Sequence, residues 1–206
     1  MARWQPGARE RLSQAAMELF VEQSYDRTSV AEITDRAGLT RRTFFRYFGD
    51  KREVIFAERA LLGERMSAAI QAAPEGTPVW ETVALAVESV GEIFPAERRD
   101  FVRTRQAAVA SAPELLEREL LKRQALTDTL AAALEARGVV PEAATVAAGL
   151  AVLCLRQSIG EWATGTRDFA VVARHQHRAL REVLAAGLTQ PLTAPAETPD
   201  STSPES

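Results

Sequence analysis

Apolar positions recur along the chain at intervals of three and four, with polar residues filling the gaps. From Pro6 to about Glu22 the stripe is Leu12, Ala15, Ala16, Leu19 and Phe20, the spacing of one buried helix face. Val30, Ile33 and Leu39 are spaced to meet one small core, and Thr28 or Ser29 offers a side-chain oxygen to cap the helix that carries them. Gly38 follows Ala37 where that helix should stop, because glycine tolerates the positive φ of a helix end. Thr40 then caps a second helix opening Arg41-Arg42-Thr43. Phe44 and Phe48, four apart, share a face and form its core pair, which leaves Phe45 and Tyr47 pointing elsewhere. Asp50 can cap a long helix over residues 51 to 72, with Val54, Ile55, Ala57, Leu61, Leu62, Met66 and Ile70 on its buried side.

Residues 73 to 78, Ala-Pro-Glu-Gly-Thr-Pro, break the pattern and form a loop. Five further helical segments follow, over residues 79 to 94, 95 to 110, 113 to 137, 141 to 164 and 168 to 188. Proline opens several of them, as suits a first helical turn, and Gly138 supplies a stop. Alternating β-branched runs are scarce, so the pattern predicts an all-α chain of nine helices. From Thr189 onward the chain is rich in Pro, Ser and Thr with almost nothing to bury, and a disordered tail is expected over 189 to 206.

Helix, glycine turn and helix over residues 25 to 51, with basic and hydroxyl groups opening the second helix, is the layout of a DNA-binding helix-turn-helix. Charge agrees. Residues 36 to 52 hold six basic residues, Arg36, Arg41, Arg42, Arg46, Lys51 and Arg52, against Asp50 alone, whereas the whole chain is −3. A local basic patch on an acidic chain points to one anionic partner at one site. The bland alternative is a solvated face of a helical bundle. Arg3 and Arg9 are further candidates for phosphate contacts or for plain solvation.

Ala15-Ala16, Leu19-Phe20, Thr28-Ser29-Val30, Ile33, Ala37-Gly38-Leu39-Thr40, Thr43, Phe48 and Lys51 together resemble the N-terminal domain of TetR-family transcriptional regulators, without a gap over residues 9 to 55. The resemblance implies a nine-helix architecture. It has a helix-turn-helix DNA-binding head over 1 to 50 and a helical ligand-binding and dimerisation body over 51 to 188. It also implies a cytoplasmic homodimer on a palindromic double-stranded DNA operator, most often a repressor released by a small-molecule effector. By the same resemblance Thr28, Thr40, Thr43, Tyr47 and Lys51 hold phosphates, Arg41 and Arg42 lie nearest the base edges, and Phe45 and Arg46 complete the surface. Arg42 stands where the family often has Gly, which adds a base or phosphate contact. Phe45 stands where it often has Tyr, which removes a hydroxyl. The stretches Phe101-Val102-Arg103-Thr104-Arg105 and Ser111-Ala112-Pro113-Glu114-Leu115, with Trp162, look like a branch that includes the mycofactocin-system regulator. That branch implies an acyl-CoA-like effector.

An apolar share of 46% with 26% charged residues is ordinary for a soluble globular protein, and no uninterrupted apolar run of membrane-spanning length or signal core is evident. A lone Cys154 inside Leu150-Ala151-Val152-Leu153-Cys154-Leu155 reads as a small buried hydrophobe, with a redox-sensor role as the alternative. His175 and His177 are two apart on a helix and cannot share a metal as i,i+4 histidines do, so neither metal nor cofactor is expected. No phosphate loop or nucleophile elbow occurs, and no enzyme is expected. A helical small-molecule-binding protein or enzyme with an incidental basic patch is the competing reading. An interaction module using the last two helices is a third.

Within the body, Arg156 interrupts the most apolar helix. It must reach a salt bridge, anchor an anionic ligand or stand in solvent, because an unpaired buried charge is costly. Trp80, Phe94, Phe101 and Trp162 can line a pocket or pack the core, and Arg103, Arg105 or Arg156 can meet the head group of a ligand. The segments at 141 to 164 and 168 to 188 are expected to pair with their symmetry mates as a four-helix bundle.

Overall fold

The computed structural model describes residues 7–56 and 59–186, and every regular element among them is helical. Three short helices come first: α1 (Ala8–Gln23), α2 (Val30–Ala37) and α3 (Arg41–Tyr47). The expected capping chemistry is present at each join. The Glu32 N–H donates to Ser29 Oγ at 3.2 Å while the Ser29 N–H donates to Glu32 Oε2 at 2.7 Å, a reciprocal capping box. At the far end Gly38 takes φ 64°, and the Leu39 N–H reaches back to the Thr34 carbonyl at 2.9 Å. Thr40 Oγ1 then accepts from the Thr43 N–H at 3.2 Å and opens α3. Phe44 and Phe48 are both buried, their ring centroids 5.4 Å apart.

The three helices share a core built on Leu12, Ala16, Phe20, Ile33 and Phe44, and this core does not end with the head. Val54, Ile55 and Phe56 belong to it, and so do Val109, Ala112 and Leu115 from much later in the chain. The continuous helix expected from residue 51 is corrected here. Asp50 Oδ1 accepts from the Glu53 N–H at 3.0 Å and caps a 3₁₀ turn, Glu53–Phe56, and the regular helix is α4 (Arg59–Ala72). Consecutive residues of a regular helix cannot all face one partner. This turn buries three in a row because it is wedged between the head helices and the body.

Residues 79 to 94 also divide. They form α5 (Val79–Glu88) and a 3₁₀ turn, Gly91–Ile93. Pro95 disfavours a helical Phe94, which sits at φ −117° and ψ 58°, and a second turn, Ala96–Arg98, precedes α6 (Arg99–Ser111). Three longer helices complete the body: α7 (Pro113–Glu135), α8 (Pro141–Thr164) and α9 (Phe169–Ala186). Nine α-helices are thus present among the described residues, as the pattern predicts. The arm and the tail over 189 to 206 lie outside the described residues.

The body core gathers Met66, Val83, Leu130, Ala148, Trp162 and Phe169. Its centre is α8, which packs against α5, α6, α7 and α9. By length and a mean hydropathy of 1.4, α8 is apolar enough to cross a membrane, although Arg156 and Glu161 interrupt its apolar run; its packing against four helices makes it a core helix. The C-terminus of α4 is pinned by Arg137, which donates to the carbonyls of Ile70, Gln71 and Ala73 at 2.7–2.8 Å. Phe101 packs against both cores, so α6 is the element that joins head to body.

Candidate nucleic-acid interface

The outer surface of α3 carries Arg41, Arg42, Phe45, Arg46 and Tyr47, all exposed, with Phe45 at 57% and Tyr47 at 39%. Phe44 and Phe48 turn inward and anchor this short helix, which is why five neighbouring side chains stay outside. The Arg46 guanidinium donates to the Tyr47 hydroxyl at 2.9 Å and lies 4.7 Å from that ring's centre. Tyr47 therefore reaches solvent with its hydroxyl hydrogen already aligned by a cation. Thr40 is exposed and Thr43 half-buried, their hydroxyls 3.0 Å apart.

Three of the six cations in this stretch are spoken for. Arg36 forks onto Glu22 at 2.7 and 2.8 Å, and that hydrogen bonding holds the Glu22 carboxyl below its ordinary pKa. Arg52 grips Asp50 at 2.8 and 3.0 Å. Lys51 turns inward and donates to the Tyr25 and Thr28 carbonyls, where burial lowers the pKa of its ammonium. What remains is a tight group of three guanidiniums on α3: Arg41, Arg42 and Arg46. Thr28 is 2% exposed, and its hydroxyl donates to the Ser24 carbonyl at 2.8 Å. Its side chain thus braces the loop before α2.

One residue of the head was not singled out from the sequence. Arg11 of α1 donates through Nη2 to the carbonyls of Ala37 and Gly38, placing a cation at the C-terminus of α2. It holds the glycine turn from the side. A separation of 26 residues leaves no spacing signal that could have found it.

The model of the family described as bacterial regulatory proteins, tetR family, matches residues 12–57, which take in most of α1, all of α2 and α3 and the 3₁₀ turn. Over these residues the chain is similar to the N-terminal domain of the TetR family. The HTH-type transcriptional regulator TcmR of Streptomyces glaucescens is 33% identical over 82 residues, or 40% of this chain. The match spans 36% of that curated relative's length. Solved structures agree in fold over more of the chain. FadR of Bacillus subtilis in complex with stearoyl-CoA superposes with a TM-score of 0.57 at 19% identity, covering 86% of this chain and 98% of that one. A transcriptional regulator of the TerR/AcrR family from Aquifex aeolicus VF5 gives 0.55 at 19%, covering 86% and 99%.

In the helical body the residues expected around a ligand separate. Trp162 is 1% exposed and packs edge-on against Phe94 in the core. Trp80 lies at the surface beside Val79, Val146 and Leu150, stacked on His177 at 4.3 Å. Arg103 pairs with Asp100 and donates to the Ala163 carbonyl at 2.8 Å, which ties α6 to the end of α8. Phe94, Phe101 and Arg105 do line one opening, a cavity of about 50 Å³ closed on its head side by Val54, Ile55 and Phe56. Arg105 and Arg156 meet in a second, a cleft of about 200 Å³ with Leu116, Glu119, Arg123 and Leu155. Arg105 and Ile159 line both. Arg156 is exposed and makes no side-chain hydrogen bond or ion pair among the described residues.

Cys154 is fully buried and burial pushes its thiol up to about 11, so it carries no thiolate chemistry at neutral pH. Among the described residues, no three His, Cys, Asp or Glu side chains are placed to hold a metal.

Proposed function

We propose that the chain is a ligand-responsive, sequence-specific DNA-binding transcriptional regulator, acting in the cytoplasm as a homodimeric repressor. The observation that carries the reading is the α3 surface: three guanidiniums that form no ion pair among the described residues, an exposed aromatic pair and two threonines on a helix seated by Phe44 and Phe48. Such a helix enters the major groove. In this reading Arg41 and Arg42 contact guanine O6 and N7, and Thr40, Thr43, Tyr47 and Arg46 contact phosphates. Lys51 and Thr28 serve the interface by fixing the loop before α2, whose backbone borders the groove.

Residues 1–50 carry the DNA-binding work and 51–188 the ligand and dimer work, with the 3₁₀ turn at Glu53–Phe56 between them. Two copies pair through α8 and α9. Val146 at 63% exposure, half-buried Leu153 and the open Gly149 and Gly160 give α8 an apolar outer face on which a second helix can lie close. The effector is acyl-CoA-like. Supporting this class are the fold shared with FadR, which binds stearoyl-CoA, and the guanidinium-rich cleft in the body.

Selection of genomic DNA fragments by the purified protein tests the reading. The expected product is one palindromic sequence whose half-sites are about 34 Å, or a multiple, apart. Recovery of no enriched sequence at low salt would overturn it.

A further inference from the structure

The cleft among α6, α7 and α8 holds three guanidiniums, Arg105, Arg123 and Arg156, against one carboxylate, Glu119, on a chain of net charge −3. Glu119 is 6% exposed and already serves two of them, Arg105 at 2.6 Å and Arg123 at 3.4 Å. Arg156 is left over on α8, lining the cleft together with Leu116 and Leu155. A cationic surplus beside an apolar wall matches a ligand with an anionic end and a hydrocarbon body. The cavity beyond Arg105 holds only about 50 Å³, which admits a slender hydrocarbon chain better than a ring system.

Arg105 stands between the openings and has a second task. Its Nε donates to the Ile55 carbonyl at 2.9 Å, and its guanidinium lies 5.4 Å from the centre of the Phe56 ring. It therefore fastens α6 to the turn that closes the head core. From α7, Arg118 and Lys122 hold Glu53 of the same turn.

We infer that this cleft binds a single-chain amphiphile with a carboxylate or phosphate head, and that Arg105 passes its arrival to the DNA-binding head by releasing Ile55. The inference rests on the regulatory reading above. The anionic head settles between Arg123 and Arg156 and draws Arg123 from Glu119. The hydrocarbon chain runs past Ile159 toward Phe101 and Phe56, through the space the Arg105 side chain occupies. Arg105 swings fully onto Glu119, and the Ile55 carbonyl loses its donor. Occupancy thus favours the state in which the turn is unfastened, which is the differential affinity an effector needs.

The test uses the full chain without DNA, so that its outcome is independent of operator recognition. Calorimetric titration compares decanoate, decanoyl-CoA and decanol. Decanoate or decanoyl-CoA is expected to bind at least about tenfold more tightly than decanol, and Arg156→Ala or Arg123→Ala to remove that advantage while leaving decanol unchanged. Whichever anion binds more tightly tells a free carboxylate from a CoA phosphate as the natural head. Amide hydrogen exchange at residues 53–56 is expected to speed up on adding the preferred anion. In Arg105→Ala it is expected to be fast from the start and indifferent to ligand. Because Arg105→Ala takes from the buried Glu119 carboxylate its 2.6 Å partner, Arg105→Ala/Glu119→Gln provides the same readout with that charge removed. Equal affinity for decanol and both anions, or unchanged exchange at 53–56 under saturating anion, would overturn the inference.

Discussion

The Lys51 ammonium sits 3.9 Å from the centre of the Tyr25 ring and donates to the carbonyl of that same residue at 2.7 Å. A second bond, to the Thr28 carbonyl at 2.9 Å, closes the loop between α1 and α2. Lys51→Ala is expected to destabilise the protein by about 2 kcal/mol, from two charge-assisted bonds and a cation–π contact. Operator affinity falls with it, but the salt dependence of binding stays at the wild-type slope, because no phosphate contact is lost. Thermal unfolding and a salt series of binding constants check both halves. A flattened slope with unchanged stability would return Lys51 to the phosphates.

Arg42 gives the opposite signature. It is exposed on the first turn of α3 and has no structural task in the head. Arg42→Ala should leave the melting temperature unchanged, relax sequence preference at one base pair of each half-site and cost about 1–3 kcal/mol there. Binding across a randomised operator library measures it. Identical preference profiles for wild type and variant would remove Arg42 from base readout.

The dimer face is tested by charge. Val146→Glu on α8 and Leu184→Glu on α9 place carboxylates on side chains that are 63% and 37% exposed in the single chain. Within one protomer each change should be worth no more than about 0.5 kcal/mol, as for other surface sites. Both are expected to yield monomers by sedimentation and to abolish operator binding. Persistence of dimers in both variants would move the interface to another face.

His177 supplies a pH dependence. Its ring stacks on Trp80, neither ring nitrogen has a hydrogen-bond partner among the described residues, and burial lowers its pKa below 6.5 against the pull of Glu81 and Glu88. Between the folded value and about 6.5 the unfolded chain binds more protons than the folded one, so stability rises with pH across that interval. The contribution is complete above about pH 6.5 and is lost as the pH falls toward the folded value. His177→Phe keeps the stack and should flatten the melting temperature over this range. An equally steep fall in the variant would assign the dependence to other groups.

The head was legible because its signals are local. Ser29, Gly38 and Thr40 act on backbone within four residues, and Phe44 with Phe48 is a spacing within one helix. What the sequence concealed lies across elements. The charge of Arg36 is absorbed by Glu22 on another helix, Lys51 by carbonyls more than twenty residues back, and Arg103 by the end of α8. None of these pairings has a spacing to read. The same holds for the break between α5 and α6, where the position of Pro95 alone predicts a helix start. Pro95 instead displaces Phe94 onto Phe169, a stack of 4.6 Å that only the assembled body reveals.

Leu115, fully buried at the start of α7, belongs to the same core as Leu12 and Phe44. The three head helices are made first, yet their core stays incomplete until Leu115, well over sixty positions beyond the head, has been synthesised. Chains truncated before α7 keep every group of the α3 surface but lack its support. Premature termination therefore leaves no well-formed head to occupy an operator that a body-less fragment could never release.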